Sequence, residues 1–141
     1  MEEELFRELL VDAFMFAWIA IKRKYPHIAE RGRPKIWLAV GEFARQMDKE
    51  GKRACAYPTE WAIAIKMPYW KDFWNLYPDW CFRNLTRLLI HEFLHLAKPE
   101  ASEEEVEKES DKIFREESEK PLFRRLYKKW YEVTRKKGFI A

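Results

Sequence analysis

One apolar stretch constrains this chain more than any other: Leu88-Leu89-Ile90-His91-Glu92-Phe93-Leu94-His95-Leu96-Ala97. Its apolar residues recur at helical spacing, and residues four apart lie on one face of a helix. His91 and His95 can therefore direct two imidazole nitrogens at a single ion, with Glu92 beside it. Two neutral nitrogen ligands and a carboxylate close to the metal are typical of zinc hydrolases. The stretch predicts a Zn²⁺ ion on His91 and His95, with Glu92 as the catalytic carboxylate.

Composition limits the size and class of the protein. With 141 residues, the chain is expected to form a single domain, 1–141. Charged residues make up 36% and hydrophobic residues 48%, which is typical of a folded protein rather than a disordered one. The formal net charge of +3 is too small to indicate a nucleic-acid partner by itself.

The lack of a recognisable targeting signal and the cysteine usage predict a cytoplasmic protein with no membrane segment. The N-terminus is acidic where a signal peptide is basic. The apolar stretch Val11–Ile21 is interrupted by Asp12 and is too short to span a bilayer. Cys55 and Cys81 form no metal-binding motif, and we expect free thiols rather than a disulfide.

The first half of the chain reads as a helix followed by a hairpin. An amphipathic pattern from Glu3 to Lys24 predicts a helix that packs behind the core. The segment 35–47 favours a strand with a bulge at Gly41, and 48–52 resembles a hairpin turn before a returning strand, 53–57. A helix over 36–49 is the alternative.

The strand expected over residues 60–67 is the predicted substrate-binding element. Its large apolar residues alternate with smaller or charged ones, the period of a strand with one buried face. A strand beside the helix that carries His91 and His95 could bind an extended peptide through a free edge. An ordinary sheet strand is the alternative. The aromatic segment 68–78 that follows reads as a connector, which lines a pocket or closes the core.

Three helices account for the second half. Asp79 is a suitable N-cap for the metal helix, which Lys98-Pro99 ends. Ser102, with glutamate three residues later, predicts the start of an acidic helix that continues toward Glu117. Pro121 opens a basic amphipathic helix.

The third zinc ligand is expected to be a carboxylate. A catalytic zinc site normally has three protein ligands and one open position. The third histidine, His27, lies far upstream, and Ala101 occupies the place where a Gly-x-x-His extension would put another. On the acidic helix, Glu103 and Glu107 lie on or beside the inward side, and the helical angle leaves both open.

His91-Glu92-Phe93-Leu94-His95, a short loop and an acidic helix together resemble the gluzincin clan of metallopeptidases. That resemblance implies a glutamate ligand within Glu-x-x-x-Asp, which Glu107 and Asp111 match; it favours Glu107 as the ligand, with Glu103 as the runner-up. Asp111 would then be the carboxylate that hydrogen-bonds a zinc-binding histidine. The small size and element order look most like the archaeal minigluzincins over about residues 1 to 117.

The expected fold class is α+β: a small zincin-like domain with an N-terminal backing helix, a short three-stranded sheet, a metal-binding helix, a glutamate helix and an extra C-terminal helix. Minigluzincins include latent forms whose own C-terminal segment blocks the cleft. The resemblance therefore implies a catalytic core over about 1–119 and an inhibitory segment, 120–141. Additional packing or a homodimer contact is the alternative role of that segment.

The function expected from these patterns is zinc-dependent hydrolysis of peptide bonds. The group that stabilises the oxyanion stays open among Tyr57, Tyr69, Tyr127 and Tyr131. A non-catalytic, zinc-stabilised protein that binds or regulates a partner is the alternative. Nucleic-acid binding by the basic helix is disfavoured, because Leu126 and Trp130 indicate that much of this helix packs inward.

Overall fold

A computed structural model describes residues 2–136. The helices and strands follow in the order α1 (Glu2–Lys24), β1 (Lys35–Ala39), α2 (Gly41–Lys49), β2 (Ala54–Tyr57), β3 (Ala62–Lys66), α3 (Met67–Leu76), α4 (Pro78–Ala97), α5 (Glu103–Ser118) and α6 (Pro121–Lys136). A 3-10 turn, Pro26–Arg31, follows α1. The fold is α+β, mostly helical with one three-stranded sheet, as the sequence predicts at this level.

Helix α4, which carries the histidines, lies at the centre of the molecule. It contacts α1, α3, α5, α6 and β2. Phe82, Leu85, Leu89 and Phe93 are completely buried, and they belong to one core that extends from α1 to α6. A helix that is apolar on most of its surface is expected to be buried on most sides. The position of the two histidines is therefore fixed by packing from every direction except the cleft.

The sheet has the order β1-β3-β2, with β3 parallel to β1 and antiparallel to β2. Ala62 to Ile65 are completely buried, as expected for a central strand covered on both faces. The prediction that the strand 60–67 offers a free edge to a peptide is therefore wrong, because both of its edges are already paired. The free edge beside α4 belongs to β2.

The predicted hairpin of 35–47 with 53–57 is also wrong, since β3 lies between β1 and β2. The chain leaves β1 at Val40 and begins α2 at Gly41, which has a φ of 56°. Ala44 and Met47, three residues apart, are buried on one face of α2. The helical alternative for this segment is confirmed over Gly41–Lys49, while β1 keeps the strand predicted from Lys35.

The aromatic segment 68–78 is not an irregular connector but mostly helix α3, which buries Trp70 and Trp74. Helix α4 then begins at Pro78, and Asp79 does not cap it. The Asp79 carboxylate instead accepts hydrogen bonds from Thr134 Oγ1 at 3.0 Å and Tyr127 Oη at 3.3 Å. These bonds attach the start of α4 to α6, a contact between residues too distant in sequence for a local pattern to reveal.

The end of α1 and the start of α5 lie where the proline and serine residues of the sequence predict them. α1 ends at Lys24, before Pro26. α5 begins after Ser102, whose Oγ accepts a hydrogen bond from the Glu105 N–H at 3.1 Å. Among residues 2–136, no helix combines the length and apolar character that crossing a bilayer requires.

Candidate metal centre

The last two turns of α4 place His91 and His95 side by side at the wall of a cleft. Their Nε2 atoms are 3.2 Å apart. In a tetrahedral site with Zn–N bonds of about 2.0–2.1 Å, two nitrogen ligands lie roughly 3.3–3.4 Å apart. Burial lowers the pKa of His95, although the Glu103 carboxylate opposes this shift. The lowered pKa favours the neutral imidazole, which is the form that binds metals. The pair has the spacing of two ligands of one ion.

Glu103, the first residue of α5, brings a carboxylate to the same point. Its Oε1 lies 2.7 Å from His91 Nε2, and its Oε2 lies 3.0 Å from His95 Nε2. His91, His95 and Glu103 thus form a three-residue group that could hold a metal ion. Two nitrogens and a carboxylate are a donor set that Zn²⁺ accepts in hydrolases.

Glu107 lies on the other side of the His91 ring, with Oε2 3.0 Å from Nδ1. A carboxylate there holds the imidazole proton on Nδ1 and leaves the Nε2 lone pair directed at Glu103. Two acceptors would then face each other at 2.7 Å, an arrangement that a cation between them relieves. The geometry and the donor chemistry both fit a divalent metal.

These positions favour Glu103 over Glu107 as the third ligand, and the assignment stays a prediction. Glu103, the runner-up, faces both Nε2 atoms, and Glu107 supports His91 from behind. The supporting role expected of Asp111 is not observed, because its Oδ1 accepts a hydrogen bond from Arg87 Nε at 3.0 Å. α5 crosses the end of α4 so that its first turn meets both histidines and its second turn meets His91. That crossing is a long-range property of the packing.

Glu92 is buried beside the histidines and borders the same cleft. Burial raises the pKa of its carboxyl group to about 8, while a hydrogen bond from the Ala56 backbone N–H opposes the shift. The Glu103 carboxylate raises this pKa further, and Lys52 lowers it. A carboxyl group with a pKa close to neutrality can both accept and release a proton at the operating pH.

Two adjoining cavities form the cleft, and both border His91, Glu92 and Glu103. The wide cavity, about 490 Å³, extends toward Arg53, Tyr69 and Arg87. The narrow cavity, about 380 Å³, extends along β2 to Pro58 and past His95. Of the four tyrosines considered for the oxyanion, Tyr69 borders these cavities; Tyr127 bonds Asp79, and Tyr57 packs against Trp37.

The free edge of β2 borders both cavities. The Lys66 N–H donates to the Arg53 carbonyl at 3.0 Å, and in an antiparallel ladder such hydrogen-bonded pairs alternate with non-bonded ones. In the register Ala54↔Ile65 and Ala56↔Ile63, Ala54 and Ala56 therefore direct their backbone N–H and C=O groups outward, toward the cleft. Ala56 already uses its N–H on Glu92.

A second cluster, distinct from the ligand group, fixes the end of α4. His27 Nε2 lies 3.1 Å from the Ala97 carbonyl oxygen. Lys98 Nζ donates to Glu109 Oε2 at 3.2 Å, and the Tyr25 hydroxyl donates to the other oxygen of Glu109. His27, which lies too far upstream to be predicted as a ligand, thus contacts the C-terminal end of α4 instead.

Helix α6 lies away from the cleft. Phe123, Leu126 and Trp130 are buried in the core, and none of the residues that border the two cavities belongs to Pro121–Lys136. Residues 121–136 therefore do not border the cleft, and the inhibitory role predicted for 120–141 stays a prediction. The end of that predicted segment, residues 137–141, lies outside the described residues.

Sequence reasoning missed three groups that border or support the site: Ala56, Ser110 and Arg53. Ser110 Oγ lies 3.5 Å from His91 Nδ1 and donates to the Glu107 carbonyl at 3.0 Å. Its position three residues after Glu107, on the same helix face, is the only local signal for it. No pattern in the sequence marks Ala56 or Arg53, because the sheet order brings them to the cleft.

No protein-family model, curated protein or solved structure matches this chain. The resemblance to gluzincins consequently depends on the residues themselves, and it stays a prediction.

Proposed function

We propose that this protein is a zinc-dependent peptidase of the gluzincin type with a zincin-like fold. The observation that carries the proposal is the convergence of His91, His95 and Glu103 within 3.2 Å of one another in a cleft that also holds Glu92. A purely structural ion pair between two histidines and a glutamate would not require a buried carboxyl group and a free strand edge beside it.

In this proposal His91, His95 and Glu103 hold Zn²⁺, and Glu107 orients His91 through Nδ1. When bound, Zn²⁺ supplies a Lewis acid that lowers the pKa of water and polarises a peptide carbonyl. Asp111 has no direct part in the site, because Arg87 holds it.

Glu92 is the general base and then the general acid. Its carboxylate accepts a proton from the attacking water and donates it to the amine that leaves when the peptide bond breaks. The Ala56 N–H holds the carboxylate in place during both transfers. A bound cation near Glu92 favours its ionised form, which offsets the effect of burial on its pKa.

A peptide substrate would lie along β2 rather than along 60–67. An extended chain antiparallel to β2 continues the antiparallel pairing of β2 with β3 and can use the outward groups of Ala54 and the carbonyl of Ala56. β2 runs from the wide cavity toward Pro58, so the antiparallel substrate runs from the narrow cavity to the wide one. Residues that follow the cleaved bond therefore enter the wide cavity.

The test measures metal content and hydrolysis together. Full-length protein expressed with zinc should carry one Zn²⁺ per chain and cleave casein, and Glu92→Gln should keep the metal and lose at least about 100-fold in rate. Glu104→Gln, an exposed change in the same helix turn as Glu103, is the control and should match the wild type. A zinc-loaded wild type with no activity beyond that of Glu92→Gln would favour the non-catalytic, partner-binding alternative. We place the activity in the cytoplasm on the cysteine usage.

A further inference from the structure

The wide cavity has three cationic side chains beside its three carboxyl groups, Glu92, Glu103 and Glu107. Lys52, Arg53 and Arg87 border it. Within the part of the chain that the structure describes, neither Lys52 nor Arg53 has a carboxylate oxygen within 4.0 Å of its charged group. Arg87 binds Asp111, but the guanidinium has five N–H donors and only part of them is engaged.

Arg53 is held in the cavity by its surroundings. Its guanidinium carbon lies 4.4 Å from the centre of the Tyr69 ring, a cation–π arrangement that orients the planar group. Its backbone carbonyl accepts hydrogen bonds from the Lys66 N–H at 3.0 Å and from Trp70 Nε1 at 3.1 Å. The backbone is therefore fixed by the sheet and α3, while the charged end is free to bind a ligand.

The acidic groups of the wide cavity already have partners. Glu103 faces both imidazoles, Glu107 contacts His91 at 3.0 Å, and Glu92 accepts the Ala56 N–H. Glu107 also lies 3.9 Å from Arg87. What stays available to a substrate is the positive charge on Arg53, above an apolar wall of Tyr69, Trp70 and Leu88. Lys52 Nζ donates to Cys55 Sγ at 3.6 Å.

We infer that the wide cavity is a carboxylate-binding subsite, with Arg53 as its main specificity-determining residue. The inference rests on the proposed function, because the antiparallel substrate places the residue after the cleaved bond in this cavity. The bound carboxylate belongs either to a glutamate or aspartate side chain at that position or to the C-terminus of a short peptide. Arginine binds either through two parallel N–H···O hydrogen bonds.

The test uses full-length, zinc-loaded protein and quenched peptides that differ at one residue. Cut sites in denatured casein, located by mass spectrometry, supply the parent peptide. The peptides carry Glu or Gln after the cleaved bond, with an amidated C-terminus, and a third peptide ends at that Gln with a free carboxylate. We expect kcat/KM to be about 10-fold higher for Glu than for amidated Gln. A similar gain for the third peptide alone identifies the C-terminal carboxylate as the source.

Arg53→Gln should remove the preference by lowering kcat/KM for the Glu peptide about 10-fold relative to the amidated Gln peptide, and Arg53→Lys should restore part of it. Arg45→Gln is the matched control, because Arg45 lies on α2, pairs with Glu42 at 2.8 Å and borders neither cavity. Equal cleavage of all three peptides by the wild type would overturn the inference while leaving the peptidase proposal intact. So would an equal loss on every peptide in Arg53→Gln.

A binding measurement separates the two proposals. Zinc-loaded Glu92→Gln, which lacks the proposed base, is titrated calorimetrically with the Glu and amidated Gln peptides. Binding of the Glu peptide about 10-fold tighter, dependent on Arg53, supports the subsite independently of hydrolysis, because this variant lacks the proposed base. Equal affinities overturn the subsite whatever the activity.

Discussion

The two nitrogens of His91 have different acidic partners, and under the proposed function these two glutamates have different roles. Nε2 faces Glu103 at 2.7 Å, and Nδ1 faces Glu107 at 3.0 Å. A ligand and a group that supports a ligand both weaken metal binding when removed, but by different amounts. Partners of metal-bound histidines typically contribute about 10–100-fold to affinity.

Substitution of these glutamates should therefore separate the two roles. We expect Glu107→Ala to lower zinc affinity by about 10–100-fold and Glu103→Ala to lower it by more than about 100-fold, beyond the range of such supporting groups. Competition with a chromophoric chelator measures both, with Glu104→Ala as the control. A larger loss in Glu107→Ala would restore the ligand assignment made from the sequence resemblance.

The shifted pKa of Glu92 predicts a pH dependence of stability in the metal-free protein. Burial raises this pKa to about 8 in the folded state, against about 4.3 in the unfolded chain. Between these values the folded protein binds a proton that the unfolded chain releases, so this group's stabilising contribution is full below about pH 4 and is lost as pH rises toward 8. Glu92→Gln removes that loss.

Urea denaturation in the presence of chelator, at pH 5.5 and pH 8, measures the effect. The free energy of unfolding of Glu92→Gln, relative to the wild type, should increase from the lower pH to the higher. Glu104→Gln should change neither value, since Glu104 is exposed. The same difference between wild type and Glu92→Gln at both pH values would contradict the prediction.

Helix α6 is a part of the core and not an addition to it. Trp130 is completely buried, and its Nε1 donates to the buried Asp12 carboxylate at 3.1 Å. Lys129 Nζ donates to the same carboxylate at 2.9 Å. Asp12, which interrupts the apolar stretch of α1, is thus a partner of α6.

Truncation after Glu119 should unfold the protein instead of activating it. The shortened chain loses Phe123, Leu126 and Trp130 from the core and leaves Asp12 and Asp79 without their α6 partners. Trp130→Ala alone should cost about 3–5 kcal/mol in urea denaturation. A second truncation, after Lys136, keeps all of α6 and should stay folded. A folded, more active protein truncated after Glu119 would show that the segment is inhibitory.

Metal binding should raise the melting temperature of the whole protein. A ligand that binds only the folded state stabilises it by about 2.7 kcal/mol at a free concentration of 100 times Kd. For a chain of this length, that corresponds to an increase in Tm of roughly 5–10 °C. Calorimetry with zinc and with chelator measures the shift. Glu103→Ala should not show it, and an undiminished shift in that variant would place the ion elsewhere.

Local patterns predicted the parts of this molecule that depend on local geometry. His91, Glu92 and His95 share a helix, so their spacing alone brings them together. The ends of α1 and α5 follow from proline and serine chemistry at single positions. The choice between Glu103 and Glu107 depends instead on how α5 crosses α4. The angular position of either residue around α5 gives no information about that crossing.

The sheet was predicted as three strands, but its order was not. Ala62 to Ile65 are apolar without a break, the pattern of a central strand, and only the large residues among them alternate. α2 contains no β-branched residue, which agrees with the helix it forms. The aromatic residues of α3 suggested a connector, although Trp70 and Trp74, four residues apart, lie on the buried face of a helix. The order of the strands then decided which edge borders the cleft.

The three proposed zinc ligands all lie within residues 91–103, between the end of α4 and the start of α5. The loop that joins them is short, so closing it costs little chain entropy compared with bringing β1 beside β3 or α6 beside α1. An ion could therefore bind these two helix ends before the distant parts of the chain meet. In such a protein the metal would bind early in folding and hold the two helices together. Zinc would then increase the rate of refolding as well as the stability of the folded state.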